Sequence, residues 1–140
     1  MCLTVDKEFK TRQAARDFFA KPLIAKTNKT VYKVLKKRAF YKHLESPFQQ
    51  EKYEPGELKT VPKFGKEILK NFDSIWRINI NNGIHACTSL DQAIWMAERG
   101  FMRKVIKCYI PKGTPYFIGT DGDIVSLALQ MPKKFKHIYL

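Results

Sequence analysis

The chain has 140 residues, of which 44% are apolar and 13% aromatic. That suffices for one packed domain spanning 1–140, is small for two, and excludes a disordered chain. Twenty-six Lys and Arg against thirteen Asp and Glu give a net charge of +13, which draws anions to the surface: nucleotides, nucleic acid or acidic proteins. The apolar runs are too short for a transmembrane helix. Residues Met1 to Asp6 carry no basic start, long apolar stretch or small-residue cleavage site, so a cytoplasmic protein without a membrane role is expected.

The cations do not form a tail. They run through the whole chain, with clusters at Lys36-Lys37-Arg38, at Arg103-Lys104 with Lys107, and at Lys133-Lys134 with Lys136. This distribution points to a folded basic patch rather than a disordered arm. Three cysteines (2, 87, 108) and three histidines (43, 85, 137) show no paired metal-ligand spacing. Reduced thiols, no metal and no resident cofactor are the expectation.

In chain order, Leu3 to Val5 reads as a short strand. Thr11 caps a helix to Ala20 with Ala14, Ala15, Phe18 and Phe19 at helical spacing, and Pro22 ends it. Val31 to Leu35 is β-branched and aromatic and reads as a strand. Residues 37–56 stay unassigned. Glu54-Pro55-Gly56-Glu57 is a turn signal, with Tyr53 and Leu58 as short hairpin strands on its two sides. Gly65 to Phe72 carries a weak helical pattern through Ile68, Leu69 and Phe72. Ile75 to Ile80 alternates as a strand, Asn81-Asn82-Gly83 signals a tight turn, and Ile84 to Cys87 forms the next strand. Ser89 caps a helix with an apolar stripe at Leu90, Ala93, Ile94 and Ala97, stopped by Gly100. Further strands are predicted at Arg103 to Ile110, Tyr116 to Ile118, Ile124 to Leu129 and Phe135 to Leu140. Two or three helices and six to eight short strands joined by tight turns predict an α+β fold with largely antiparallel, twisted sheet.

Several residues could carry chemistry. The strand Gly83 to Cys87 runs into a helix start, where His85, Thr88 and Ser89 add donors to backbone N–H groups that favour an anion. The plainer reading makes Thr88 and Ser89 helix caps and His85 a sheet residue. His85 and Cys87 share a strand face, but same-strand neighbours do not bring imidazole to sulfur as a nucleophilic pair requires. Asp121 and Asp123 are candidate acids, although Asp-Gly is also hairpin chemistry. Aromatic rings sit beside cations at Tyr32-Lys33, Phe40-Tyr41-Lys42, Lys52-Tyr53, Trp76-Arg77 and Lys107 to Tyr109. Such pairs suit bases stacked on a basic surface if the rings are exposed.

The segments Gly83 to Ser89, Ile110-Pro111-Lys112-Gly113-Thr114 and Gly122 to Ser126 resemble small uncharacterised proteins of phage and bacterial genomes. Tyr32-Lys33 and Thr88-Ser89 ahead of a helix also resemble, more weakly, the ADP-ribosyltransferase-like domains. That resemblance implies a small α+β fold holding NAD in a cleft between sheets. Lys33 stands where the family has arginine, and lysine cannot offer a bidentate fork to a phosphate. Glu98 is the last glutamate, followed only by Asp121 and Asp123. The resemblance therefore implies a nucleotide held without transfer.

Three expectations follow, and the sequence leaves open whether the protein is an enzyme. The first is a basic module binding an anionic ligand, nucleotide or nucleic acid, through Tyr32, Lys33, His85, Thr88, Ser89 and Arg103. The second is an enzyme acting on NAD. The third is an inhibitor that occupies the acidic surface of another protein.

Overall fold

The computed structural model describes residues 3–37, 44–46, 51–70, 75–119 and 122–136. The chain runs β1 (Leu3–Phe9), α1 (Arg12–Phe19), β2 (Leu23–Ile24), β3 (Lys29–Lys37), β4 (Leu44–Glu45), β5 (Lys52–Tyr53), β6 (Leu58–Thr60), β7 (Gly65–Lys70), β8 (Trp76–Asn82), β9 (Ile84–Cys87), α2 (Leu90–Glu98), β10 (Arg103–Ile110), β11 (Pro115–Ile118), β12 (Asp123–Ser126) and β13 (Ala128–Gln130). The strands form two antiparallel sheets. The smaller has the order β1-β8-β7; the larger runs β2-β11-β12-β9-β3-β10-β13-β6, with β4 and β5 branching from β3. The protein is thus sheet-dominated, with two helices among the described residues.

Both helices form for local reasons. Thr11 accepts from Ala14 N–H and caps α1, and Ser89 accepts from Gln92 N–H and caps α2. Helix α1 buries Ala15 and lays Phe18 and Phe19 beside Phe117, at ring distances of 5.7 and 5.5 Å. With Phe9, Ile78, Ile80 and Val125 these residues make the core between the small sheet and the large one. Helix α2 buries Ala93 and Ala97 on Val34, Cys87 and Val105 of the large sheet. A third core, with Val31, Leu35, Tyr53, Ile106, Ile110 and Ile124, fills another side of the large sheet.

Five expectations change. Residues 65–70 form strand β7 rather than a helix: the chain pairs with β8 from Lys66↔Ile80 to Lys70↔Trp76, and sheet pairing overrides a weak helical period. Asn81-Asn82-Gly83 is no hairpin turn, because β8 belongs to the small sheet and β9 to the large one. The turn at Glu54–Glu57 is present, with Glu57 N–H donating to Glu54 O. Its flanks do not pair with each other, since β5 joins β4 and β6 joins β13. Ile124 to Leu129 is broken at Leu127 into β12 and β13. The strand expected at Phe135 to Leu140 is not formed at residues 135–136, and 137–140 lie outside the described residues.

Gly83 carries the crossing between sheets at φ +136°, and a Cβ there would run into Val125 Cγ2 and lie 3.3 Å from Phe64 Cδ1. Gly83→Ala is expected to cost on the order of 2 kcal/mol, read as a lower urea midpoint with an unchanged m-value. An unchanged midpoint would mean that the crossing is not tight.

Candidate functional site

Strands β3 and β10 pair over eight positions, from Arg103↔Lys36 to Ile110↔Lys29. This register joins two basic clusters that lie far apart in sequence: Lys36 and Lys37 meet Arg103 and Lys104. Helix α2 ends at the same place. Arg103 Nη1 donates to Met96 O at 3.1 Å, and Lys37 N–H donates to Met102 O at 3.0 Å. Gly100 makes room for the Arg103 guanidinium, which a Cβ would strike. The Arg99 guanidinium stacks on the Trp95 ring, 4.0 Å from its centroid. Trp95 is 55% exposed, Phe101 81% and Met102 43%. Between residues 95 and 104, Glu98 is the one carboxylate, against Arg99, Arg103 and Lys104. The result is a cationic end of the large sheet that also presents three large apolar side chains to water.

A second feature is concave. Residues Pro22 to Thr27 with Lys29 and Tyr116 line an open cleft of about 620 Å³ at the β2 edge of the large sheet. Leu23 and Ile24 are about half exposed in it, and Lys29 Nζ stands 5.8 Å from the Tyr116 ring centroid.

The residues singled out in the sequence divide sharply. Lys33 and His85 are only 5% and 6% exposed. Lys33 Nζ donates to His85 O and sits 5.2 Å from the Tyr53 ring centroid. Burial lowers its ammonium pKa from 10.5 to about 8, while Cys108, Cys87 and Glu51 act weakly the other way. The His85 ring nitrogens have no hydrogen-bond partner of good geometry. Burial, reinforced by Lys33, lowers the imidazole to about 4, against a small opposing effect of the Ile80 and Gly83 backbone. Burial also raises the Cys87 and Cys108 thiols to about 11 and about 12, which keeps both protonated and poorly nucleophilic. Cys87 contacts Met96 Sδ at 3.5 Å, not His85.

Ser89 acts as the cap of α2, and Thr88 Oγ1 donates to Gly122 O at 2.7 Å. Asp123 Oδ1 accepts from Gln92 Nε2 at 2.8 Å, and Asp121 lies outside the described residues. Tyr32 is half-buried opposite both Cys87 and Lys107, near the start of α2. So the register brings Tyr32 close to Thr88 and Ser89, buries Lys33 and His85 out of reach of a surface ligand, and sends Arg103 to the opposite end of α2. Of the aromatic–cation pairs, Tyr53 is fully buried and Trp76 half-buried, whereas Lys107 and Tyr109 are exposed.

Trp95, Arg99, Phe101 and Met102 were not singled out from the sequence. The available signal was a large aromatic placed directly after the stop glycine of a helix and directly before a basic strand start. Among the described residues no group of His, Cys, Asp and Glu could hold a metal ion, and no helix is long and apolar enough to cross a membrane. No family model, curated protein or solved structure matches the chain.

The buried ionisable groups set the pH response. His85 is depressed on folding, so between pH 6.5 and about 4 the unfolded chain binds more protons and stability falls as pH falls. Lys33 is depressed too, so from pH 8 stability rises with pH until the two raised thiols oppose it above 9. Urea midpoints measured across this range check the profile. His85→Leu is expected to flatten the acid limb and leave pH 7 stability intact, because the imidazole gives up no hydrogen bond of good geometry to the described residues. An acid limb of the same depth in that variant would take His85 out of the account.

Proposed function

We propose that the protein binds nucleic acid through the cationic end of the large sheet. The observation that carries this reading is the β3–β10 register, which gathers Lys36, Lys37, Arg103 and Lys104 around the end of α2, where Arg99 adds a fifth cation. Even if every carboxylate of the chain held one cation, thirteen would remain without one. Cations concentrated on one edge neutralise phosphates and release counterions, which supplies sequence-independent affinity and a strong salt dependence. Arg99 offers a planar fork suited to phosphate oxygens, Arg103 is held by its bond to Met96 O and adds its charge, and lysines act as point charges.

A second reading rests on the cleft at β2. Its apolar wall, the Tyr116 ring and the ammonium groups of Lys26 and Lys29 suit a small nucleotide, NAD included. The resemblance to ADP-ribosyltransferase-like domains agrees with that ligand class. Thr88 and Asp123 do not line this cleft, whose lining residues include no carboxylate. A rise in melting temperature with NAD or ADP-ribose that is lost in Lys26→Ala with Tyr116→Ala would favour the cleft.

The leading reading is tested by fluorescence anisotropy with a labelled oligonucleotide at several salt concentrations. Affinity should fall steeply as salt rises, and Lys36→Ala with Lys37→Ala should weaken binding while lowering the slope of log K against log salt by about 1 to 2. Unchanged affinity and slope in that variant would contradict it.

A further inference from the structure

We infer that the turn Gly100 to Met102, together with Trp95 and Arg99, is a base-stacking surface, so that the partner of the cationic end is a single-stranded polynucleotide. The inference rests on the nucleic-acid reading above and names its strand state.

Three observations converge on this turn. Phe101 follows α2 with 81% of its surface in water and belongs to none of the three cores. An aromatic ring held outside the core does little for the fold, yet it offers a flat face to a ligand. Met102, itself 43% exposed, has φ +56° and is the one non-glycine residue with positive φ among the described residues. Glycine would take this conformation without strain, whereas methionine does not. The strain is held by surrounding bonds: Lys37 N–H grips Met102 O, and Arg103 is anchored on Met96 O. Strain that persists at an exposed position, where the side chain is of little use to the core, points to a use outside the fold. Finally, Arg99 lies flat on Trp95, a layered cation and ring of the kind that accepts a further planar group.

The surrounding chemistry selects the occupant. Bases stack on aromatic faces in a sequence-tolerant way when their own faces are free, as in a single strand. In a duplex the bases are already stacked, so Phe101 and Trp95 would face sugar and phosphate instead. Lys36, paired with Arg103, lies on the sheet face that α2 covers, while Lys104, paired with Leu35, lies on the other face of the same sheet end. A protein partner fits less well, because lysine is depleted in interface cores. A lipid surface draws on the same cations and rings, and the vesicle arm of the test below separates it. A second copy would set these cations against their own equivalents.

The test is anisotropy with a fluorescein-labelled oligouridylate of about twelve nucleotides, alone and annealed to its complement, at about 100 mM KCl. The single strand should bind at least about tenfold tighter than the duplex. Phe101→Ser and Trp95→Ala should each weaken it by about tenfold and leave duplex binding and melting temperature unchanged. Met102→Gly separates fold from function: it should raise the melting temperature by relieving strain, yet lower single-strand affinity. Equal binding of both forms, or full single-strand affinity in Phe101→Ser and Trp95→Ala, would overturn the stacking surface while the nucleic-acid reading stands. No binding of either form would bring down both. Phe101-dependent binding to phosphatidylserine vesicles in place of the oligonucleotide would make the turn a lipid anchor and overturn the inference.

Discussion

The eight-position pairing of β3 with β10 is the constraint on which the rest depends. It places the middle of the large sheet, since β9 leaves β3 on one side and β13 leaves β10 on the other. It supplies Val34 and Val105, on which α2 packs, and Ile106 and Leu35 for the opposite core. The same register fixes where the chain's charge collects. A one-residue slip of β3 would turn Lys36 away from Arg103 and move Lys33 onto the face that α2 covers, because side chains alternate across a strand. The cationic end and the buried lysine are therefore two consequences of one pairing.

The buried polar residues belong to that pairing as well. Lys33 reaches across the sheet to the carbonyl of His85, over the ring of Tyr53. A carbonyl and an aromatic face together solvate the ammonium only in part, which is why burial dominates its titration. The Tyr53 hydroxyl and both His85 nitrogens find no hydrogen-bond partner of good geometry among the described residues. Such groups cost stability, and nothing about their position brings them to a ligand at the surface.

What could be read from the sequence follows from how local each cause is. Thr11 and Ser89 announce the two helices through their own side chains, and the stop at Gly100 is equally local. Strands β3 and β10 show in their β-branched content. Strand β7 does not, because its Ile68 and Leu69 sit in a segment whose state is decided by β8, a partner six or more residues away. Asn82-Gly83 looks like hairpin chemistry whether the next strand folds back or crosses to another sheet. The basic clusters were visible as runs, but their meeting at Lys36 and Arg103 required the register. Lys33 reads as a ligand-binding cation because lysine is mostly exposed, yet it shares a strand face with buried Val31 and Leu35, and alternation alone does not say which face is filled. Phe101 carries no signal of its own in the sequence, and only the three-dimensional packing shows that it belongs to no core among the described residues and is 81% exposed.

The most direct measurement is to map amide chemical shifts in ¹H–¹⁵N spectra during titration with a single-stranded oligonucleotide. Binding at the joined cationic end predicts that the largest changes fall on Lys36, Lys37 and the stretch Trp95 to Lys104, with the cleft at Pro22 to Lys29 unmoved. Changes centred on that cleft, or spread evenly over every exposed lysine, would contradict the account.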